Sequence, residues 1–118
     1  MATYSKQILS GSVNGLAEKV TGTSTMSSVM VHTAVSGSTN FDEIWLYANN
    51  TSSTASKLTI EWGTPTAADG NIELSVQPES GLILVIPGLL LNGGHVVRAF
   101  ASAANVILLT GYVNAIRS

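Results

Sequence analysis

The chain has no cysteine, so disulfide cross-links, thiolate zinc sites and thiol catalysis are all excluded. Charge is almost as scarce. Asp, Glu, Lys and Arg make up 10% of the 118 residues, against about 25% in an ordinary soluble domain. The five basic residues are scattered and the net charge is −2, which argues against a nucleic-acid partner, because phosphate binding needs clustered Lys and Arg. Long apolar runs are missing as well. The longest, Leu82–Leu91, is interrupted by Pro87-Gly88 and falls short of the ~20 residues a membrane-spanning helix requires. Met1-Ala2-Thr3-Tyr4-Ser5-Lys6 leads into no apolar core of the kind a secretory signal carries, so none is expected.

Apolar residues still account for 45% of the chain. A small monomer relies on surface charge to stay dispersed. Low charge with high apolar content therefore points to a chain that covers part of its surface against other subunits. The competing reading is a monomer solvated by its many Ser, Thr and Asn side chains. The length fits one domain, in which folding buries roughly two thirds of the unfolded surface.

What the chain does have is β pattern. Leu82–Ile86, Val96–Ala101 and Asn105–Val113 are strand-length runs rich in Val, Ile and Leu, and turn formers separate them, so they read as buried β-strands. Asp42–Asn49 alternates Ile44, Leu46 and Ala48 with Trp45 and Tyr47, so both faces carry apolar bulk. One face is expected on the core and the other covered as well or meeting a partner. Lys57–Trp62 places Leu58, Ile60 and Trp62 inward, with Lys57, Thr59 and Glu61 outward. Asn71–Gln77 repeats the pattern, with Glu73 outward. Ser27–Ala34 is a further strand, with Val29, Val31 and Thr33 on one face and Met30 and His32 on the other. Asn92-Gly93-Gly94 reads as a hairpin turn. No helical period persists for three turns.

Residues 1–20 have irregular apolar spacing, with Gly11 and Gly15 interrupting it. They form either an extended docking arm or an edge strand, and residues 21–118 form the domain. About eight or nine short strands predict an all-β fold, a single antiparallel β-sandwich of jelly-roll type.

Catalytic and ligand signatures are few. His32 and His95 could hold a metal only if the fold brought them together with a carboxylate such as Asp42, and no metal or other cofactor is expected. Glu61, Asp69 and Glu73 lie near one another in sequence and suggest the paired carboxylates of a glycosidase, but Glu61 and Glu73 take outward positions of alternating strands, where a charge keeps a sheet face wet. No serine sits in a Gly-x-Ser-x-Gly elbow, and there is no phosphate loop. Asn49-Asn50-Thr51 and Asn50-Thr51-Ser52 match a glycosylation sequon.

Several segments carry a resemblance. They are Ser10-Gly11-Ser12-Val13-Asn14-Gly15, Val31-His32-Thr33-Ala34, Asp42-Glu43-Ile44-Trp45-Leu46-Tyr47-Ala48-Asn49-Asn50 and Leu58-Thr59-Ile60-Glu61-Trp62-Gly63. Ile86-Pro87-Gly88, Val97-Arg98-Ala99-Phe100-Ala101, Ala104-Asn105-Val106-Ile107 and Gly111-Tyr112-Val113-Asn114 follow. In this order the chain resembles small virion structural proteins of tailed bacteriophages. The resemblance implies a non-enzymatic capsid decoration (cement) protein, made in the host cytoplasm and bound outside the head shell, often as a trimer. Its partners would be the major capsid protein or neighbouring virion proteins. The alternatives are a neck or tail component at the head–tail junction, and a carbohydrate-binding sandwich with Trp45, Tyr47 or Trp62 as a stacking platform. Tyr4, Ile8, Leu9, Trp45 and Tyr47 are the expected interface residues.

Overall fold

A computed structural model describes residues 2–118; Met1, the first residue of the expected arm, lies outside the described residues. The strands are β1 (Thr3–Ile8), β2 (Glu18–Lys19), β3 (Val29–Thr33), β4 (Phe41–Asn50), β5 (Ser56–Trp62), β6 (Asn71–Val76), β7 (Ile83–Leu91), β8 (Val96–Ala101) and β9 (Ile107–Arg117). A single 3-10 turn, Thr25–Ser27, precedes β3.

Pairing follows from the chain doubling back at residues 63–70. From there β5 pairs with β6, β4 with β7, β3 with β8 and β2 with β9, all antiparallel. This long ribbon is then wound up, so that β4 also pairs with β9 and β5 with β8. The result is two packed antiparallel sheets, a β-sandwich. The wider sheet runs β1-β9-β4-β7, with β2 on the same side of β9 as β1, and the second runs β3-β8-β5-β6.

Winding explains the core. On β4, Ile44, Leu46 and Ala48 are sealed between the sheets, while Trp45 and Tyr47 stay half-buried on the outer face. Leu58 and Ile60 of β5, Val97 and Ala99 of β8, and Ile107 and Leu109 of β9 meet them. Trp62 packs against this cluster from its rim.

Several expectations are corrected. Asn92-Gly93-Gly94 does not close a hairpin, because β7 and β8 lie in different sheets. It is an arch, tied to the β3–β4 arch where Gly93 N–H donates to Gly37 O (2.9 Å) and Gly94 N–H to Val35 O (3.0 Å). Pro87-Gly88 does not end a strand either. Trp45 pairs with Pro87 and Ile44 with Leu89, leaving Gly88 as an unpaired bulge inside β7. Pro87 is tolerated because β7 is an edge, where a missing N–H leaves no ladder bond unmade. Gly88 is required: its φ is +80°, and a Cβ would sit 2.7 Å from Cζ2 of Trp45. Nor is the run Leu82–Ile86 buried throughout, since Leu82 and Leu84 are exposed on this edge.

On β3 a register break between Met30 and His32 inserts one extra residue, so Val31 and His32 are both buried and the expected alternation fails. Thr59 and Glu61 are not solvated. β5 is an interior strand, and the 3-10 turn covers its outer face, where Thr25 Oγ1 donates to Glu61 Oε2 at 2.9 Å. The opposite oxygen, Glu61 Oε1, has no partner, although Arg98 lies directly across the ladder and donates to Ser28 Oγ and Ser28 O.

Of the two alternatives for the N-terminal segment, residues Thr3–Ile8 form the edge strand. It pairs with β9 from Thr3↔Arg117 to Ile8↔Tyr112, and its six side chains are all exposed. Leu9 and Val20 reach into the core, so the segment is fixed at both ends of its loop. Gly11 permits the close approach of this loop to β3: its N–H donates to Val31 O at 2.9 Å, and a Cβ would stand 2.2 Å from Met30 O.

Candidate functional site

Two places concentrate side chains that could act on something else. The first is a polar chain at one end of the sandwich, buried at His32 and Asp42 and reaching the surface at Ser10 and Arg117. Ser10 N–H donates to His32 Nδ1 at 3.0 Å, and the Ser10 hydroxyl lies 3.2 Å from the same nitrogen. A backbone N–H can only donate, so Nδ1 is the acceptor and the imidazole proton sits on Nε2. Nε2–H then donates to Asp42 Oδ2 at 2.8 Å, and Val35 N–H donates to that oxygen at 3.1 Å. Arg117 Nη2 stands 2.9 Å from Asp42 Oδ1. This last contact is an ion pair without a well-aligned hydrogen bond, because Oδ1 receives no directed donor.

Serine, histidine and aspartate in a row invite comparison with a nucleophilic triad. A triad, however, needs its base nitrogen free to take the serine proton. Here Nδ1 already accepts the Ser10 N–H, and the Ser10 hydroxyl accepts the Thr33 N–H at 2.7 Å. The geometry is that of a clamp holding the segment after β1, strands β3 and β4, and the C-terminal arginine together. Asp42 does meet His32, as a metal site would have needed, but His95 is exposed in the β7–β8 arch. Among the described residues no group of three His, Cys, Asp or Glu side chains is placed to hold a metal ion. Glu73 pairs with Lys57 at 3.3 Å in solvent while Glu61 is buried, so these two carboxylates do not face each other across an open cleft. Asn50 is buried, and its amide donates to Thr54 O and Val76 O, so the second sequon is engaged in the fold.

The second place is the outer face of the wider sheet. Cross-strand pairing sets its residues in rows. Tyr4, Ile116 and Phe41 form the first. Lys6, Asn114, Glu43 and Leu90 form the next. Ile8, Tyr112, Trp45 and Pro87 follow, then Thr110, Tyr47 and Leu84. Three rows are mainly apolar, and the polar row is tied down by its neighbours. Trp45 Nε1–H donates to Glu43 Oε2 at 2.6 Å, and Asn114 Nδ2–H to the same oxygen at 3.0 Å. The Asn114 bond, then the Trp45 bond, hold the Glu43 carboxyl below its ordinary range. Trp45 and Tyr112 stack with centroids 6.2 Å apart and planes 11° from parallel. Lys6 Nζ lies over the Tyr112 ring, 5.0 Å from its centroid.

Of the residues singled out from sequence, Tyr4, Ile8, Trp45 and Tyr47 all lie on this face. Leu9 does not. It is 2% exposed and packs in the core, because the chain turns inward after β1. Tyr112, Phe41, Glu43 and Asn114 share the face and were not singled out. For Tyr112 and Asn114 the signal was alternation through residues 108–116, masked by the apolar run Asn105–Val113; Phe41 and Glu43 continue the Trp45 and Tyr47 face of β4 toward its start.

Compared with known proteins, the chain matches no family model, no curated protein and no solved structure.

Proposed function

We propose that this chain is a non-enzymatic structural protein of a bacteriophage virion, a decoration protein that binds the outside of the head shell through the outer face of the wider sheet. The observation that carries the reading is that face. Apolar rows holding Tyr4, Ile8, Trp45, Tyr47 and Leu84 run across four strands of a chain that has few charges to keep such a surface wet. Tyr4 is 72% exposed and Ile8 51%, so burying them against a neighbour is favourable. We read the wound ribbon, closed at the β5–β6 hairpin, as a jelly roll, an arrangement that viral capsid domains use among others. The fold alone assigns no role, and the residues quoted for the resemblance supply the virion context.

Mass spectrometry of purified virions tests the reading. Decoration requires a copy number on the scale of the shell protein, and a few copies per particle would favour the neck or tail instead. Tyr4→Asp and Leu84→Asp should abolish binding to undecorated shells without lowering Tm. Binding that survives both would remove this face from the contact.

The carbohydrate reading has one observation behind it: Trp45 sits beside Glu43 and Asn114 on an exposed face. Tyr112 stacks on the indole and Glu43 Oε2 is already occupied, which leaves less for a sugar. Glycan-array binding lost on Trp45→Ala would favour it over shell binding.

A further inference from the structure

We propose that β1 pairs with β1 of a second copy of this chain across a two-fold axis at Ser5, so that the wider sheet continues through two molecules. This goes beyond the virion reading and does not depend on it. Among the described residues β1 has β9 on one side and no strand on the other. Its register is unbroken over six residues, and every side chain is exposed. The other edges are better guarded. β7 carries Pro87 and two register breaks, and β3 carries one. β6 is regular, but its Ile72 and Leu74 are already partly buried against their own core, so a strand added there covers less exposed apolar surface than one added beside Tyr4 and Ile8. A free, regular ladder is a template for another strand.

Residue chemistry selects the register. Tyr4, Lys6 and Ile8 share the outer face with Ile116, Asn114 and Tyr112, while Thr3, Ser5 and Gln7 share the inner one. A two-fold axis perpendicular to the sheet keeps each face on its own side, so even-numbered residues meet even-numbered ones. Two such registers retain five residue pairs within β1, one centred on Lys6 and one on Ser5. Centring on Lys6 sets two ammonium groups directly opposite each other, which is destabilising. Centring on Ser5 sets each Lys6 opposite the second copy's Tyr4 and each Thr3 opposite the second copy's Gln7. Lys6 already lies over Tyr112, so a second ring beside it adds cation–π contact where like charge would have repelled. The product is a dimer, where the resemblance implies a trimer.

The absence of native cysteine makes the register readable by single substitutions. In this pairing the two Ser5 Cα atoms stand roughly 4.5–5.5 Å apart, within disulfide reach. The two Lys6 Cα atoms, offset by two residues, are roughly 8 Å apart and out of reach. Ser5→Cys should therefore form a disulfide-linked dimer under mild oxidation. Lys6→Cys and Tyr4→Cys should each fail alone, and mixing those two variants should restore the cross-link. Light scattering of the unmodified chain should give twice its 12.2 kDa mass. A monomer at the highest soluble concentration, a threefold mass, or Lys6→Cys linking as readily as Ser5→Cys would overturn the proposal. Far-UV circular dichroism matching the unmodified chain confirms that each variant is folded.

Discussion

Replacing Asp42 by Asn leaves the volume of the buried clamp unchanged and removes its carboxylate, which isolates what that group contributes. The Asn carbonyl can occupy the Oδ2 position and keep the bonds from His32 Nε2–H and Val35 N–H, now without charge. Losing charge assistance costs about 1 kcal/mol for each of the two. The amide NH₂ must then take the Oδ1 position, 2.9 Å from Arg117 Nη2, where donor faces donor. Arg117 is 31% exposed at its side chain, so that lost ion pair is discounted to about 1 kcal/mol. The expected total is about 3 kcal/mol, a large fraction of the roughly 5–15 kcal/mol by which domains are stable.

Urea denaturation followed by fluorescence of Trp45 and Trp62 reads this as a lower midpoint with an unchanged slope. Arg117→Gln should cost about 1 kcal/mol alone and nothing further in the Asp42→Asn background, since it relieves the donor conflict. The imidazole nitrogen shifts of His32 should report the Nε2–H tautomer in both proteins. A loss below about 0.5 kcal/mol, the range of ordinary surface changes, would refute the clamp. So would additive single-mutant effects, which would mean that Asp42 and Arg117 do not act on one another.

Ile60→Ala should cost about 2–5 kcal/mol in the same assay, because Ile60 is sealed between the sheets, and Leu74→Ala distinctly less, because Leu74 is only half-buried. Glu73→Gln should change stability by less than about 0.5 kcal/mol, since its pair with Lys57 is exposed on both sides. Gly88→Ala should move the tryptophan emission and lower Tm, because the added Cβ meets the Trp45 indole and the φ of +80° disfavours a side chain. Glu18 is raised from 4.5 to about 7 by burial, with the Arg98 charge acting in the opposite direction. The folded state therefore binds this proton more tightly than the unfolded one, so stability falls as pH rises from about 4.5 to 7 and is level above that. Solvent screening at a half-buried site limits the fall to about 1 kcal/mol, and Glu18→Gln should abolish it.

Strand identity was legible because period-two alternation is local. Ile44-Trp45-Leu46-Tyr47-Ala48 declares its two faces within five residues, and Leu58 and Ile60 declare theirs within three. Which strand lies beside which was not legible in the same way. Pro87-Gly88 and Asn92-Gly93-Gly94 are strong turn formers, and local chemistry reads both as ends of strands. One is absorbed as an edge bulge and the other spans two sheets, because winding the ribbon places β7 at an edge and β8 in the opposite layer. Glu61 fails for a related reason. A carboxylate alternating with Leu58, Ile60 and Trp62 looks solvated unless a segment more than thirty residues earlier is known to cross over it, as Thr25 does.

The candidate sites divide along the same line. His32, Asp42 and Arg117 become one cluster only through pairings remote in sequence, and an inserted residue in β3 turns His32 inward against its own alternation. The outer face was half legible. Trp45 and Tyr47 stood out because they alternate with buried aliphatics, whereas Tyr112 lay in a run so apolar that both its faces looked internal. The Thr3–Ile8 segment gave the least. A strand whose six side chains are all exposed carries no burial pattern, so its residues look the same in a loose arm and in a paired edge. What fixes it is the ladder to β9, with the buried Leu9 and the clamp at Ser10 immediately after it. A strand held so firmly along one side presents a regular opposite ladder, with Tyr4 and Ile8 exposed beside it.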